Sequence, residues 1–354
     1  MKGLKHLVWT FTRAYDKKFA YSLGDGKPLP DELTTDESKM FVKKVADFGV
    51  ENFFICGAEA TGDPMIRKDF MEIIKYTSEY NLAPYVKTSG WKLDGHMVKE
   101  LASCNCKMII SIAGLREIDD FLRGKGAHER SINGAKLCAK EEILFSLSVV
   151  NTKHVVNQIR DLVKLALDIG SKGFSLASLI PQPICVEEQL QKLGPLEPSP
   201  EEHEKELNEI YALSKEVGKS FKLLPYDIFY TRILRQNEPS LKLTGGCSLY
   251  HNLEGNEWLE VLDNGKAYGC STLGLMFGDV REDSLGVIMD RIRNSDIVKK
   301  LADLNNIKGK CGICEFNAIC GGCRAKAYVY TGDMFTHDPL CPYKPKGKRK
   351  SIIK

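Results

Sequence analysis

The sequence predicts an α/β fold: a partial (β/α)6 TIM-like barrel followed by a smaller, cysteine-rich unit. Three observations carry this. Up to about residue 180, short apolar runs alternate with longer amphipathic ones. Strand then helix, repeated about six times, implies parallel strands joined by right-handed crossovers. From about Gly245 the texture changes to glycine turns and short strands, and seven of the 12 cysteines fall there.

The candidate strands, in order, are residues 5–10, 52–56, 84–87, 108–112, 144–150 and 173–180. Between them lie helical patterns at 38–48, 68–80, 95–104, 129–140 and 156–169. Apolar residues recur there at three- and four-residue steps, the period of a helix with one buried face. In such folds ligands sit at the C-terminal ends of the strands. The segment 181–201 holds several prolines and ends in Pro-Ser-Pro-Glu-Glu, a helix-start signal for a long helix over 201–217. Asp263-Asn264-Gly265, set between Leu-Glu-Val-Leu and Lys-Ala-Tyr, reads as a tight hairpin. These readings divide the chain into a barrel at 1–239, a second domain at 240–345 and a basic, solvated tail at 346–354. There is no internal repeat beyond the β/α alternation.

Composition narrows the function. Hydrophobic content of 43% and charged content of 27% are those of an ordinary globular chain. A net charge of +3 is too small to argue for nucleic acid as a partner. No apolar run approaches the ~20 residues of a membrane span. The N-terminus lacks the apolar core of a signal peptide, so a cytoplasmic location is expected. In that compartment clustered cysteines point to metal rather than to disulfides. Cys56, Cys104, Cys106, Cys138 and Cys185 are scattered along the barrel half and read as small hydrophobes.

The clustered cysteines carry more. Cys311, Cys314, Cys320 and Cys323 form C-x2-C-x5-C-x2-C, with Cys341 downstream and Cys247 and Cys270 upstream. Thiolates are soft ligands for iron–sulfur clusters or zinc. Glycines at 312, 321 and 322 let the backbone fold round an inorganic core and offer it N–H groups. A structural zinc ribbon needs only four cysteines, and seven fit two clusters better.

The text CEFNAICGGCRAKAYVYTGD…DPLCPY resembles the SPASM domain of radical SAM enzymes. Its nearest flavour is the branch that makes haem or haem d1 or matures tungsten enzymes. The resemblance runs over nearly the whole chain and implies two auxiliary iron–sulfur clusters, [4Fe–4S] in the first instance. One would take Cys311, Cys314, Cys320 and Cys341. The other would take Cys247, Cys270 and Cys323. Where the family often has a further cysteine this chain has Leu253, so the upstream cluster would be [2Fe–2S] or would have an open iron or a weak ligand such as His251.

In the family, the loop after the first strand carries C-x3-C-x2-C. Those thiolates hold a cluster that cleaves S-adenosylmethionine to a 5′-deoxyadenosyl radical. Tyr15, Phe19 and Ser22 match that motif in spacing and place, and no cysteine precedes Cys56. Phenylalanine has no ligand atom, and serine is a poor iron ligand. A tyrosine phenol has pKa ~10, so deprotonating it at pH 7 costs about 4 kcal/mol before any iron–oxygen bond forms. The two rings either fill space or floor a site for a flat or apolar ligand.

The nucleotide pocket keeps more of its pattern. Gly57-Ala58-Glu59 resembles the family's Gly-Gly-Glu, which in the family meets the cofactor's amino group, and Glu59 keeps the carboxylate. Thr88-Ser89-Gly90 stands where Thr-Asn-Gly is common, and Asp120-Phe-Leu-Arg123 resembles a segment whose arginine lies near the ligand. The resemblance therefore leaves S-adenosylmethionine binding by Gly57, Glu59, Ser89 and Arg123 open without implying its cleavage. Three readings follow. The first is a non-radical family member, a scaffold or electron relay that meets a partner protein, a peptide, a tetrapyrrole-type ligand or an electron-transfer partner. The second is a working enzyme with unusual cluster ligation. The third is a zinc-bound structural module.

Overall fold

The computed structural model describes residues 4–15, 25–57, 62–180, 194–243, 247, 249 and 258–347. Seven parallel strands follow one another in chain order. They are β1 (His6–Thr12), β2 (Asn52–Gly57), β3 (Tyr85–Thr88), β4 (Lys107–Ile112), β5 (Leu144–Asn151), β6 (Gly173–Ser178) and β7 (Lys222–Tyr226). An eighth, β8 (Trp258–Val261), pairs parallel with the other side of β1. Next to it, β9 (Lys266–Cys270) and β10 (Leu275–Asp279) are antiparallel. The order β10-β9-β8-β1-β2-β3-β4-β5-β6-β7 is an open sheet. The α/β class and the partial barrel are those the alternation predicts.

One feature differs from the sequence reading. Strand β7 extends the run of parallel strands to seven, where six were expected. Its text, Lys-Leu-Leu-Pro-Tyr, hides it because proline cannot donate to a ladder. Pro225 is tolerated because β7 is the sheet's edge, its one neighbour being β6, where Pro225 faces Leu176. The hairpin joins the barrel's own sheet. Leu259 and Val261 of β8 lie opposite Leu7 and Trp9 of β1, and all four side chains are buried. The turn itself is as read: Gly265 takes φ +77° and its N–H donates to the Leu262 carbonyl at 2.9 Å.

Helix boundaries follow local chemistry. Helix α1 (Thr35–Phe48) starts with a capping box of Thr34 and Glu37 and stops at Gly49, φ +75°. Helices α2 (Phe70–Glu79), α3 (Gly95–Ser103), α4 (Arg116–Arg123), α5 (Ala127–Lys140) and α6 (Ile159–Asp168) come next. Helix α7 (Pro200–Glu216) begins at Ser199, whose side chain and that of Glu202 cap each other, with proline in the first turn. Helix α8 (Phe229–Asn237) follows β7. The C-terminal part adds α9 (Leu285–Asn294), α10 (Asp296–Ala302), α11 (Gly309–Ile313) and α12 (Arg324–Thr331). Helix α1 is fixed to the sheet by aromatic packing: the Trp9 ring lies 4.9 Å from Phe11, 5.1 Å from Phe41 and 6.1 Å from Phe53. Among the described residues no helix is long and apolar enough to cross a membrane.

Candidate functional site

The barrel mouth is built where β1–β4 end. Tyr15 follows β1; its N–H donates to the Gly26 carbonyl at 3.1 Å, and its ring packs so closely on Gly26 that a Cβ there would come within 2.7 Å of it. Phe19, Ser22, Ala58 and Glu59, along with Cys185, His251 and Leu253, lie outside the described residues. Gly57 ends β2, and a Cβ on it would sit 1.9 Å from the Gly62 backbone, so a returning loop lies directly on this residue.

That loop delivers Asp63, a residue the sequence did not single out. Its N–H donates to the Ala14 carbonyl at 3.0 Å, tying it to the end of β1. Its carboxylate accepts Thr88 Oγ1 at 2.9 Å, the Ser89 N–H at 2.9 Å and Ser89 Oγ at 2.6 Å. Ser89 is therefore engaged within the protein. So is Arg123, which is 3% exposed. It donates to Asp119 through Nε at 2.5 Å and Nη2 at 3.0 Å, to the Ser111 carbonyl at 2.9 Å and to Ser131 Oγ at 2.7 Å. Burial pushes the Asp119 carboxyl up, but His128 and Arg123 outweigh it and hold Asp119 below the usual carboxylate range. Ser131 Oγ in turn donates to the Ser89 carbonyl at 2.8 Å, so the β3 and β4 ends share one network.

Farther along the mouth, β5–β7 meet the C-terminal part. A cavity there is lined by Asn151, Ser178, Glu197, His203 and Lys326 among others. The Asn151 amide lies 2.5 Å from His203 Nδ1, and His203 Nε2 lies 2.9 Å from Asp227. Ser178 donates to the same carboxylate, and the Lys326 ammonium stands 3.6 Å from it. Asp227 is held below the usual carboxylate range because Lys326 and His203 outweigh its complete burial. Glu206, one turn along α7 from His203, is 2% exposed, with neither carboxylate oxygen hydrogen-bonded among the described residues. Burial pushes its carboxyl up to about 7, and Asn151 and His203 offset only part of that.

The clustered cysteines fall into two groups. Cys311, Cys314, Cys320 and Cys341 line one cavity, together with Arg232, Lys310 and Asn317. Cys247, Cys270 and Cys323 are close enough for each thiol to act electrostatically on another of the three. Backbone amides lie near all seven sulfurs and favour their thiolate forms. Asp338 donates to Cys311 at 3.4 Å, and the backbone amides of Phe316, Gly322 and Tyr343 oppose the effect of burial on Cys314, Cys320 and Cys341. In the other group Lys326 donates to Cys323 at 3.5 Å, and the backbone amides of Leu249 and Arg324 at Cys247 and of Leu273 at Cys270 oppose the effect of burial.

Burial pushes the thiols up, Cys341 to about 11 and Cys247 to about 12. Bare, they are neutral at pH 7; a bound metal is what deprotonates such thiols. Soft sulfurs turned into a cavity, with backbone amides close to them, are a donor set that suits an iron–sulfur cluster. Among the described residues no three His, Cys, Asp or Glu side chains close to the spacing of a single-ion site. Of the scattered cysteines, Cys104, Cys106 and Cys138 are buried in the barrel core and Cys56 is half-buried.

Asp338 joins the two groups. Its N–H serves Cys311, and its carboxylate accepts the Cys323 N–H at 3.0 Å and the Leu340 N–H at 3.0 Å. Arg324, fully buried, donates to the carbonyls of Gly321 at 2.7 Å and Met334 at 3.0 Å and so holds the glycine loop. Gly322 has φ +70°, and a Cβ on it would come 3.0 Å from Cys311 Sγ. Proximity to the cysteine motif was the only sequence signal for Asp338 and Arg324.

No family model matches the chain. It is 32% identical over 335 residues to an AdoMet-dependent heme synthase of Methanosarcina barkeri, covering 90% of this chain and 89% of that one. The chain belongs to the radical SAM family with a SPASM domain. A PqqA peptide cyclase of Bradyrhizobium diazoefficiens is 26% identical over 326 residues, 89% of this chain and 79% of its own. Streptococcus suis SuiB, solved bound to the precursor peptide SuiA, superposes with a TM-score of 0.73 at 17% identity over 97% of this chain and 77% of its own. In this radical SAM/SPASM chain the two cysteine groups lie in the C-terminal part, and the loop after β1 has no thiol to offer a cluster.

Proposed function

We propose that this protein is a radical SAM/SPASM member that carries two auxiliary iron–sulfur clusters and does not generate a 5′-deoxyadenosyl radical. Cys311, Cys314, Cys320 and Cys341 hold one cluster, and Cys247, Cys270 and Cys323 hold the other. The barrel mouth presents a peptide, a tetrapyrrole-type ligand or a partner protein to an active partner, and the clusters act as scaffold or electron relay. Peptide and haem chemistry in the names of relatives supports that ligand class. When bound, such clusters supply one-electron transfer over potentials of ~−700 to +450 mV.

One observation carries the reading: the positions that would anchor the radical-generating cluster are Tyr15, Phe19 and Ser22, and the first cysteine of the chain is Cys56. These residues do not fit that cluster, so no radical step is assigned to this chain. The engagement of Ser89 by Asp63 and of Arg123 by Asp119 supports the same conclusion. A second reading is favoured by the span of the likeness to an AdoMet-dependent enzyme, 90% of this chain. It is an active enzyme whose cluster at the mouth takes unusual ligands.

Protein purified without air, with iron, acid-labile sulfide and zinc counted, separates clusters from a zinc module. Incubation with S-adenosylmethionine and a strong reductant then separates the two cluster readings. The expected result is iron and sulfide for two clusters with no 5′-deoxyadenosine formed. Reductant-dependent 5′-deoxyadenosine would sink the non-radical reading, and zinc without sulfide would sink both.

A further inference from the structure

Two buried side chains in the four-cysteine cavity have hydrogen-bonding atoms without partners. Asn317 is 4% exposed, and neither its Nδ2 nor its Oδ1 has a partner among the described residues. Arg232, 1% exposed, reaches in from α8, on the barrel side of the cavity. Nη1 donates to Gln236 at 2.7 Å, Nη2 donates to Glu204, and the guanidinium carbon lies 4.9 Å from the centre of the Tyr343 ring. Its Nε–H has no partner among the described residues. An unsatisfied buried donor costs ~1–3 kcal/mol, so a stable fold rarely keeps two at one place without a use for them.

The other groups in the cavity leave this role to them. Lys310 lines it too, but its ammonium is committed to the Cys341 carbonyl. The Asp338 N–H donates to Cys311, and the backbone amides of Phe316, Gly322 and Tyr343 act on the other three thiols. The inorganic sulfides of a cluster are acceptors beyond those four thiols. Burial pushes Cys314, Cys320 and Cys341 up, and the Arg232 charge opposes it at all three, so this cation already acts on most of the ligand set.

We infer that Arg232 and Asn317 donate hydrogen bonds to the sulfur of the cluster held by Cys311, Cys314, Cys320 and Cys341 and set its reduction potential. The inference rests on the two-cluster reading above. Reduction adds one electron and hence one negative charge to the cluster, with no bond made or broken in the protein. An N–H aimed at sulfur and a fixed cation both favour the more negative state, so both raise the potential. Arg232, charged and desolvated, has the larger effect; Asn317, neutral, has the smaller one. Both are positioning residues that act through the cluster.

The test is potentiometric titration of the full-length protein, prepared without air and followed by electron paramagnetic resonance, so that each cluster gives its own wave. In Arg232→Gln the wave of the four-cysteine cluster moves to lower potential by about a tenfold change in the reduction equilibrium, ~59 mV for one electron. Asn317→Leu moves it by less, and the wave of the Cys247, Cys270 and Cys323 cluster stays in place. Arg232→Lys, which keeps the charge and loses Nε, falls between wild type and Arg232→Gln and serves where the glutamine variant does not fold.

An unmoved wave in fully iron-loaded Arg232 and Asn317 variants overturns the inference. Equal displacement of both waves also overturns it, since that is a general loosening. Wild-type protein that holds no iron refutes the cluster reading itself, a different result from either of these.

Discussion

The barrel mouth and the cysteine-rich end treat polar atoms in opposite ways. At the mouth, groups placed to meet a ligand are hydrogen-bonded to one another: Ser89 to Asp63, and Arg123 to Asp119 and Ser131. At the other end four thiols line one cavity, and beside them Arg232 and Asn317 have atoms that are unpaired among the described residues. A region satisfied within itself is stable as it stands, whereas one that keeps buried atoms unmatched gains by taking something in. The difference teaches which end is prepared for a guest.

The largest expected effect comes from giving the mouth what it lacks. In Tyr15→Cys combined with Phe19→Cys and Ser22→Cys, iron and sulfide rise by one cluster over wild type after anaerobic reconstitution. Unchanged iron would mean that this loop is no vacated cluster site, and the contrast between the two ends would then need another cause.

A middle-sized effect belongs to the seam between them, where Glu206 is buried and unpaired like the groups at the cysteine end. Its folded-state pKa is raised from the ordinary 4.5 to about 7, so the folded protein holds this proton more tightly than the unfolded chain does. Stability from this group is full below pH 4.5 and is lost as pH rises towards 7. Glu206→Gln should therefore gain about 3 kcal/mol above pH 7 and nothing below pH 4.5, read by denaturant unfolding at several pH values. A gain that does not change with pH would show that the carboxylate is satisfied, and the seam would side with the mouth.

The smallest effect sharpens the account of the mouth. Asp63→Asn keeps the shape but replaces charge-assisted acceptance of the Thr88 and Ser89 donors with a neutral amide, so stability falls by about 1–2 kcal/mol. Tighter binding of S-adenosylmethionine by this variant, measured calorimetrically, would identify Asp63 as the group that keeps Ser89 from a ligand. A loss of 4 kcal/mol or more (~4) would instead make Asp63 a structural keystone of the β1–β3 ends.

Much of this was legible in the sequence, and the reasons for the rest are physical. Alternation and caps are local: Ser199, Pro200 and Glu202 announce α7 within four residues. The spacing of Cys311, Cys314 and Cys320 is local too, whereas Cys341 lines the same cavity from farther along the chain. Strand β7 was missed because Pro225 reads as a break until the strand is known to be an edge. The engagement of Ser89 by Asp63 and the approach of Arg232 to the cysteines join residues far apart in the chain, and no pattern along it announces them. Helix α4 was likewise passed over although Arg123 was singled out, since its text is charge-rich and the buried pairing of Asp119 with Arg123 shows only in three dimensions.

The pairing of β8 with β1 bears on how the protein is made. Residue 7 meets residue 259, so during synthesis the first strand has one bare side until about 250 further residues have emerged. Such a long closure is slow, and a bare strand edge invites pairing with other nascent chains. A chain stopped short of residue 258 would carry that exposed edge permanently, which makes the last strands a seal on the first as well as the carriers of Cys270.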